Sequence, residues 1–315
     1  MASLLIPIAA VVIPAAAWWA YAAFAAVFIV GLPVLVIRGE WQTARGLDKL
    51  VLLGPLFYIA PVALFSTEHF ISARAIAALI PAWIPGHLFW AYFVGACFVA
   101  AALSLAAKVQ MRLAAALLAL TFFLFAVLMD FPGWLQNPHN RIGFSLMLRE
   151  LAFAAGPLAL AAGLSYAWRP SLARRAAQAA RVLLAGVVLF YSFEQFRYAR
   201  HLPGVPLSRL TPVWIFGHSY WSYFAALAYA VTGILLLVNR ATRAAATWLG
   251  VTVLIIELAI YVPIGVIYRA SIAQGLNYWA DTLMFAGTVL LLAGAMPVPA
   301  SQDCAASIAG ARARQ

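Results

Sequence analysis

The chain has 315 residues, of which 66% are hydrophobic and only 9% charged, and its mean hydropathy is +0.96. That leaves too little polar surface to cover a soluble globule of this length, so the chain reads as an integral membrane protein. The net charge of +11 does not point to nucleic acid, because Lys and Arg sit mostly in short loops between apolar runs, where they orient a chain in a bilayer.

The apolar runs have the length of helices crossing about 30 Å of hydrocarbon and lack the alternation of barrel strands. In chain order, the first predicted helix covers Ala15–Ile37 and follows an apolar lead whose start, MASLL, carries no positive charge, unlike a signal peptide. After a charged loop (Arg38, Glu40, Arg45, Asp48, Lys49), helices are predicted over Leu50–Thr67, His87–Ala107, Leu113–Asp130 and Leu148–Ala167. A basic, Ala-rich stretch, Trp168–Arg181, precedes four more: Val182–Tyr198, His218–Val238, Ala244–Pro263 and Trp279–Ala295.

Leu79–Phe93 (LIPAWIPGHLFWAYF) and Leu210–Phe224 (LTPVWIFGHSYWSYF) share nine of fifteen positions at a constant offset of 131. Chance would give roughly one, so the chain contains an internal duplication. The same offset pairs Arg112 with Arg243, Pro132 with Pro263, Glu150 with Asp281, Gly156 with Gly287 and Gly163 with Gly294. Upstream, an offset of 126 pairs Ser66, Glu68 and Phe70 with Ser192, Glu194 and Phe196, so the second copy has gained five residues within His201–Leu210. The expected fold is all-α, with nine transmembrane helices: an N-terminal helix and charged loop (1–49), two tandem parallel four-helix bundles (50–167 and 181–296), a basic linker (168–180) and a tail (297–315). Copies with an even number of helices share one orientation and are related by an axis along the membrane normal.

Thirteen Lys and Arg fall in the loops after helices one, three, five and seven and in the tail, against seven on the other side. The excess marks the cytoplasmic side and implies an outer N-terminus and an inner C-terminus. Cys97 and Cys304, the two cysteines, form neither a CxxC pair nor a thiolate metal set.

Six of nine acidic residues lie in or at the ends of predicted helices: Glu68, Asp130, Glu150, Glu194, Glu257 and Asp281. Charge inside a membrane segment is costly, so such residues face the bundle interior and mark candidate functional sites. Glu68, His87 and Glu150 reach the outer face in the first copy, with Asp130; Glu194, His218 and Asp281 do so in the second, where Tyr261 replaces Asp130. A Glu–His–carboxylate cluster at the outer mouth of each copy is the expectation, suited to accepting protons near neutral pH or to a quinol site. One His with two carboxylates per copy is an incomplete ligand set for haem or a metal ion. Glu257 has Tyr261, one turn away, as its expected partner. The bland alternative has the acids pairing with Arg149, Arg197 or Arg200 at headgroup depth. Trp83, Trp90, Trp214 and Trp221 fit an aromatic belt, with a ring-stacking cofactor surface as the alternative.

Glu68-His69-Phe70 with Trp83-Ile84-Pro85-Gly86-His87 and Trp90, and in the second copy Pro203-Gly204-Val205-Pro206-Leu207 with Pro212-Val213-Trp214-Ile215 and Trp221-Ser222-Tyr223-Phe224, resemble the DoxX and DoxX-like family of four-helix membrane proteins. The chain resembles a fusion of two such units behind an extra helix; the first copy lacks the Pro-Gly-Val-Pro-Leu run. The resemblance implies a bacterial plasma-membrane protein, embedded in the lipid bilayer, and a redox-associated subunit linked to quinone and to a redox-protein partner. A small-solute transporter and a membrane scaffold or assembly factor are the alternatives.

Overall fold

The computed structural model describes residues 14–164, 170–205, 209–271 and 275–297. The apolar lead, the start of the basic linker, Pro206-Leu207 and the tail from 298 lie outside the described residues.

Nine helices among the described residues are long and apolar enough to cross a membrane: α1 (Ala15–Ile37), α2 (Asp48–Ile71), α3 (His87–Ala106), α4 (Met111–Gln136), α5 (Arg141–Gly163), α6 (Pro170–Arg197), α7 (His218–Leu237), α8 (Thr242–Ile267) and α9 (Asn277–Ala295). That is the make-up of a multi-pass membrane protein. Two helices begin earlier than apolar runs alone predict. For α5 the start is Arg141, where Asn140 caps the helix by accepting a hydrogen bond from the Gly143 N–H at 3.2 Å. For α6 the start is Pro170, so most of the basic linker is helical; Ala and Arg are strong helix formers and proline suits a first turn. Polar residues hide both starts from a reading based on hydrophobicity.

The duplication is written in the backbone as well as in the sequence. Lys108 and Gln110 between α3 and α4, and Asn239 and Ala241 between α7 and α8, all take left-handed φ values at the same offset. Both α4 and α8 are interrupted by a π-turn, at Ala126–Asp130 and Glu257–Tyr261. Each lies just before Pro132 or Pro263, which has no N–H to donate and whose ring crowds the preceding turn, so the ladder shifts by one residue.

From α2 to α9 each helix packs on the next in sequence, α9 packs on α2, and α5 packs on α9 across the middle. The result is two five-helix rings, α2-α3-α4-α5-α9 and α6-α7-α8-α9-α5, with the α5–α9 pair as their common edge. The extensive contact of α2 with α9 joins the two copies. Helix α1 lies outside the rings against α2 and α3. Burial follows this plan, from 22% of the apolar window in α1 to 72% in α9, which makes α9 the central helix.

Small residues permit the close approach that association in lipid demands. A methyl group added at Gly156 would lie 2.9 Å from the Thr288 Cα, and one at Gly287 would collide with the backbone of Phe57 and Tyr58. Two tyrosines then tie flanking helices to α5: Tyr58 Oη donates to the Phe153 carbonyl (2.7 Å) and Tyr191 Oη to the Ser145 carbonyl (2.9 Å).

The face carrying His87 and His218 is termed the mouth face, and the opposite one the base. At the base, Arg243 donates to Asp48 (2.8 Å) and to the Ala293 carbonyl (3.0 Å), Lys108 pairs with Glu40, and Arg181 donates to the carbonyls of Leu236 and Leu237. Arg181 and Arg243 thereby satisfy carbonyl groups at the C-terminal ends of α7 and α9.

Gly287→Ala should separate α2 from α9 and destabilise the protein by about 1–3 kcal/mol, read as a lower thermal midpoint in detergent micelles. Gly133→Ala, where a methyl group meets nothing within 4 Å, should leave the midpoint within error.

Candidate functional site

The duplicated stretch builds the turn that leads into α3 and α7. Gly86 (φ +72°) and Gly217 (φ +83°) both adopt the left-handed conformation that a side chain disfavours. The Trp90 indole N–H donates to the Pro85 carbonyl at 3.1 Å, and that of Trp221, at the equivalent position, to Phe216 at 2.9 Å. These indole donors are therefore committed to the turn. Trp83, Trp90 and Trp214 are exposed and Trp221 is half-buried, as an interfacial belt requires.

His218 is exposed, with Nε2 at 2.7 Å from the Val213 carbonyl oxygen, and His87 is half-buried. Among the described residues neither histidine pairs with a carboxylate, so the expected Glu–His–carboxylate trio does not assemble in either copy. For Glu150 the reason is depth. With α5 starting at Arg141, Glu150 lies nine residues along the helix, about 13 Å from its first residue at 1.5 Å per residue, whereas each histidine is the first residue of its helix.

What does assemble is one cluster shared by the two copies. Arg149 on α5 donates through Nη2 to Glu150 Oε1 (2.8 Å) and through Nη1 to Asp281 Oδ2 on α9 (2.6 Å). Glu150 and Asp281 are repeat-equivalent residues on the two helices of the common edge, yet the position equivalent to Arg149 is Ala280. A single guanidinium therefore serves the acids of both copies. Glu68 on α2 comes within hydrogen-bonding reach of the Asn277 side chain and within electrostatic range of Asp281. Asp130, at the end of the π-turn in α4, interacts electrostatically with Arg149 and Glu150.

Four helices of the first ring thus supply four carboxyl groups: Glu150, Asp281 and Asp130 act on Arg149, and Glu68 acts on Asp281. Oxygen atoms of Glu68 and Asp130 remain buried without a hydrogen-bond partner among the described residues. The Arg149, Glu150 and Asp281 side chains keep 19%, 12% and 13% of their surface, so the cluster is enclosed without being sealed. No set of three or more metal-ligating side chains forms among the described residues.

The second ring has a different mouth. Glu194 on α6 pairs with Arg141 at 2.6 Å, and the Arg141 guanidinium lies 4.3 Å from the centre of the Tyr198 ring. Residues Leu202–Val205 are buried in the opening, and Leu202 joins an apolar cluster with Ile215, Ile256, Ile260, Tyr261 and Ile264. This plug is held from three helices. Gln195 Nε2 donates to the Leu202 and Gly204 carbonyls (3.5 and 3.4 Å), Ser222 Oγ to His201 (2.9 Å) and Tyr261 Oη to Pro203 (2.5 Å).

The first copy carries His69, Ala91 and Asp130 in place of Gln195, Ser222 and Tyr261. Most of its corresponding connection, residues 72–86, is exposed or half-buried, and only Ala73 is buried. A buried segment plugs the second mouth, beside the Arg141–Glu194 pair; the first has no such plug among the described residues and adjoins the other acids.

The six sequence candidates therefore separate. Glu68, Glu150 and Asp281 share the first mouth, Glu194 lies in the second, and His87 and His218 stand apart on the surface. The alternative pairing of the acids with Arg149 forms, for Glu150 and Asp281; the service of one arginine to both copies and the latch of Gln195 and Ser222 were not foreseen. The one available signal was an unrepeated arginine beside an acid in an otherwise apolar run. Comparison of the chain with protein-family models, curated proteins and solved structures finds no match in any of the three.

Arg149→Met should cost about 3 kcal/mol or more, since it strands two enclosed acids, measured as the midpoint of denaturant unfolding in micelles. The triple variant Arg149→Met/Glu150→Gln/Asp281→Asn, which removes the charges together, should recover most of the loss.

Proposed function

We propose that this protein is a DoxX-like, redox-associated subunit of the bacterial plasma membrane, with a single proton-accepting quinol site in the first mouth. The observation that carries the reading is the gathering of Glu150, Asp281 and Asp130 about Arg149 within the first ring, with Glu68 beside Asp281. Carboxyl groups with unsatisfied oxygens can take the protons that quinol releases on oxidation. The step is QH2 to Q with two electrons and two protons. The electrons pass to a redox-protein partner, and the protons pass to Glu68 and Asp130 and from there to water. Arg149 fixes Glu150 and Asp281 by hydrogen bonds, which leaves Glu68 and Asp130 as the exchanging pair. The excess of Lys and Arg in the base loops orients the mouth outward.

A specific observation also favours the scaffold reading: the Arg149 bridge joins the two copies and would be needed for assembly alone. The two readings separate on the acids that Arg149 does not bond. In the proposed role, Glu68→Gln/Asp130→Asn lowers quinol-linked electron transfer in membranes by at least about tenfold while folded yield stays unchanged, and His87→Ala/His218→Ala has little effect. Unchanged electron transfer in the Glu68→Gln/Asp130→Asn variant would leave the scaffold reading in possession.

A further inference from the structure

Outside the acidic mouth, another carboxyl group is buried in the second ring. Glu257 opens the π-turn of α8 and is 3% exposed. Among the described residues, both of its oxygen atoms are buried and unpartnered and no charged side chain acts on it. The groups around this interior are Tyr229 on α7, whose hydroxyl is also buried and unpartnered, Tyr261 on α8, and Thr282 on α9 beside Tyr261. Tyr261 interacts with both Glu257 and Tyr229, but its own hydroxyl is engaged by Pro203 of the plug.

An ionised carboxylate with no cation and no donor is not sustained in such a place; the group enters as the neutral acid. Packing does not call for an acid here either. The first copy has the same π-turn and fills the equivalent position with Ala126, 1% exposed. An acid that costs folding energy and that its own duplicate does without indicates a function.

We infer that Glu257 is a second, occluded proton-binding site, separate from the acidic mouth and reached when Leu202–Val205 leaves the opening of the second ring. With the plug seated, Glu257 holds its proton. When the plug moves out, the Tyr261 hydroxyl loses its Pro203 acceptor and is free to donate to the carboxylate that remains once the proton has passed to entering water. Gln195 and Tyr261, which bond the plug directly, set how often this happens. The site stands or falls independently of quinol chemistry in the first mouth.

The test uses the full-length protein in micelles and dicyclohexylcarbodiimide. This apolar reagent adds a protonated carboxyl group across its N=C bond and rearranges to a stable N-acylurea. Peptide mass spectrometry should find a slowly formed adduct on Glu257 of the unaltered protein, and several-fold faster formation in Gln195→Ala/Tyr261→Phe. Glu257→Gln should lose that adduct alone. No adduct on Glu257 in either the unaltered or the latch-weakened protein, each still monodisperse, would overturn the inference. Equal rates in the two would overturn the role given to the plug.

Discussion

The bridge from Arg149 to Glu150 and Asp281 is the interaction on which the rest of the arrangement depends. It lies on the edge that the two rings share, between helices that duplication made equivalent. Facing acids on a symmetry edge repel each other in a medium that screens poorly. Either they are neutralised or the helices part. Placing one arginine in one copy only, opposite Ala280 in the other, meets that constraint and breaks the symmetry of the duplication at its centre.

The asymmetry extends outward from there. Both copies retain the turn closed by an indole, the left-handed hairpin residues and the π-turn. What has diverged is the lining of each mouth. In the second copy Gln195, Ser222 and Tyr261 fasten a plug made possible by five inserted residues; in the first, His69, Ala91 and Asp130 stand in their place, with no plug among the described residues and one more carboxyl group. The same scaffold thus holds an acidic cluster in one ring and a buried, unpartnered Glu257 in the other.

Much of the fold was legible in the sequence, because hydrophobic length and the offset of 131 report directly on helices and their repetition. The ends of α5 and α6 were not, since Arg141 and Pro170 begin helices in stretches whose polarity masks their helix-forming capacity. The repeat also suggested that each copy carries its own cluster. Copy boundaries in sequence say nothing of which helices touch, and here α9 packs more closely on α2 than on any helix of its own copy. Asp281 therefore completes the first mouth instead of founding a second. The substitution of Tyr261 for Asp130 was visible in the alignment of the copies; its meaning needed the Pro203 carbonyl.

The contrast between a plugged second mouth and an unplugged first one is tested most directly by labelling repeat-equivalent cysteines with a membrane-impermeant maleimide. Asp130→Cys and Tyr261→Cys, each in a Cys97→Ser/Cys304→Ser background, sit at the same place in the two copies. The account requires Asp130→Cys to react at least about tenfold faster, because Gln195 and Ser222 still hold the plug over position 261. Equal rates, or faster reaction at Tyr261→Cys, would contradict it.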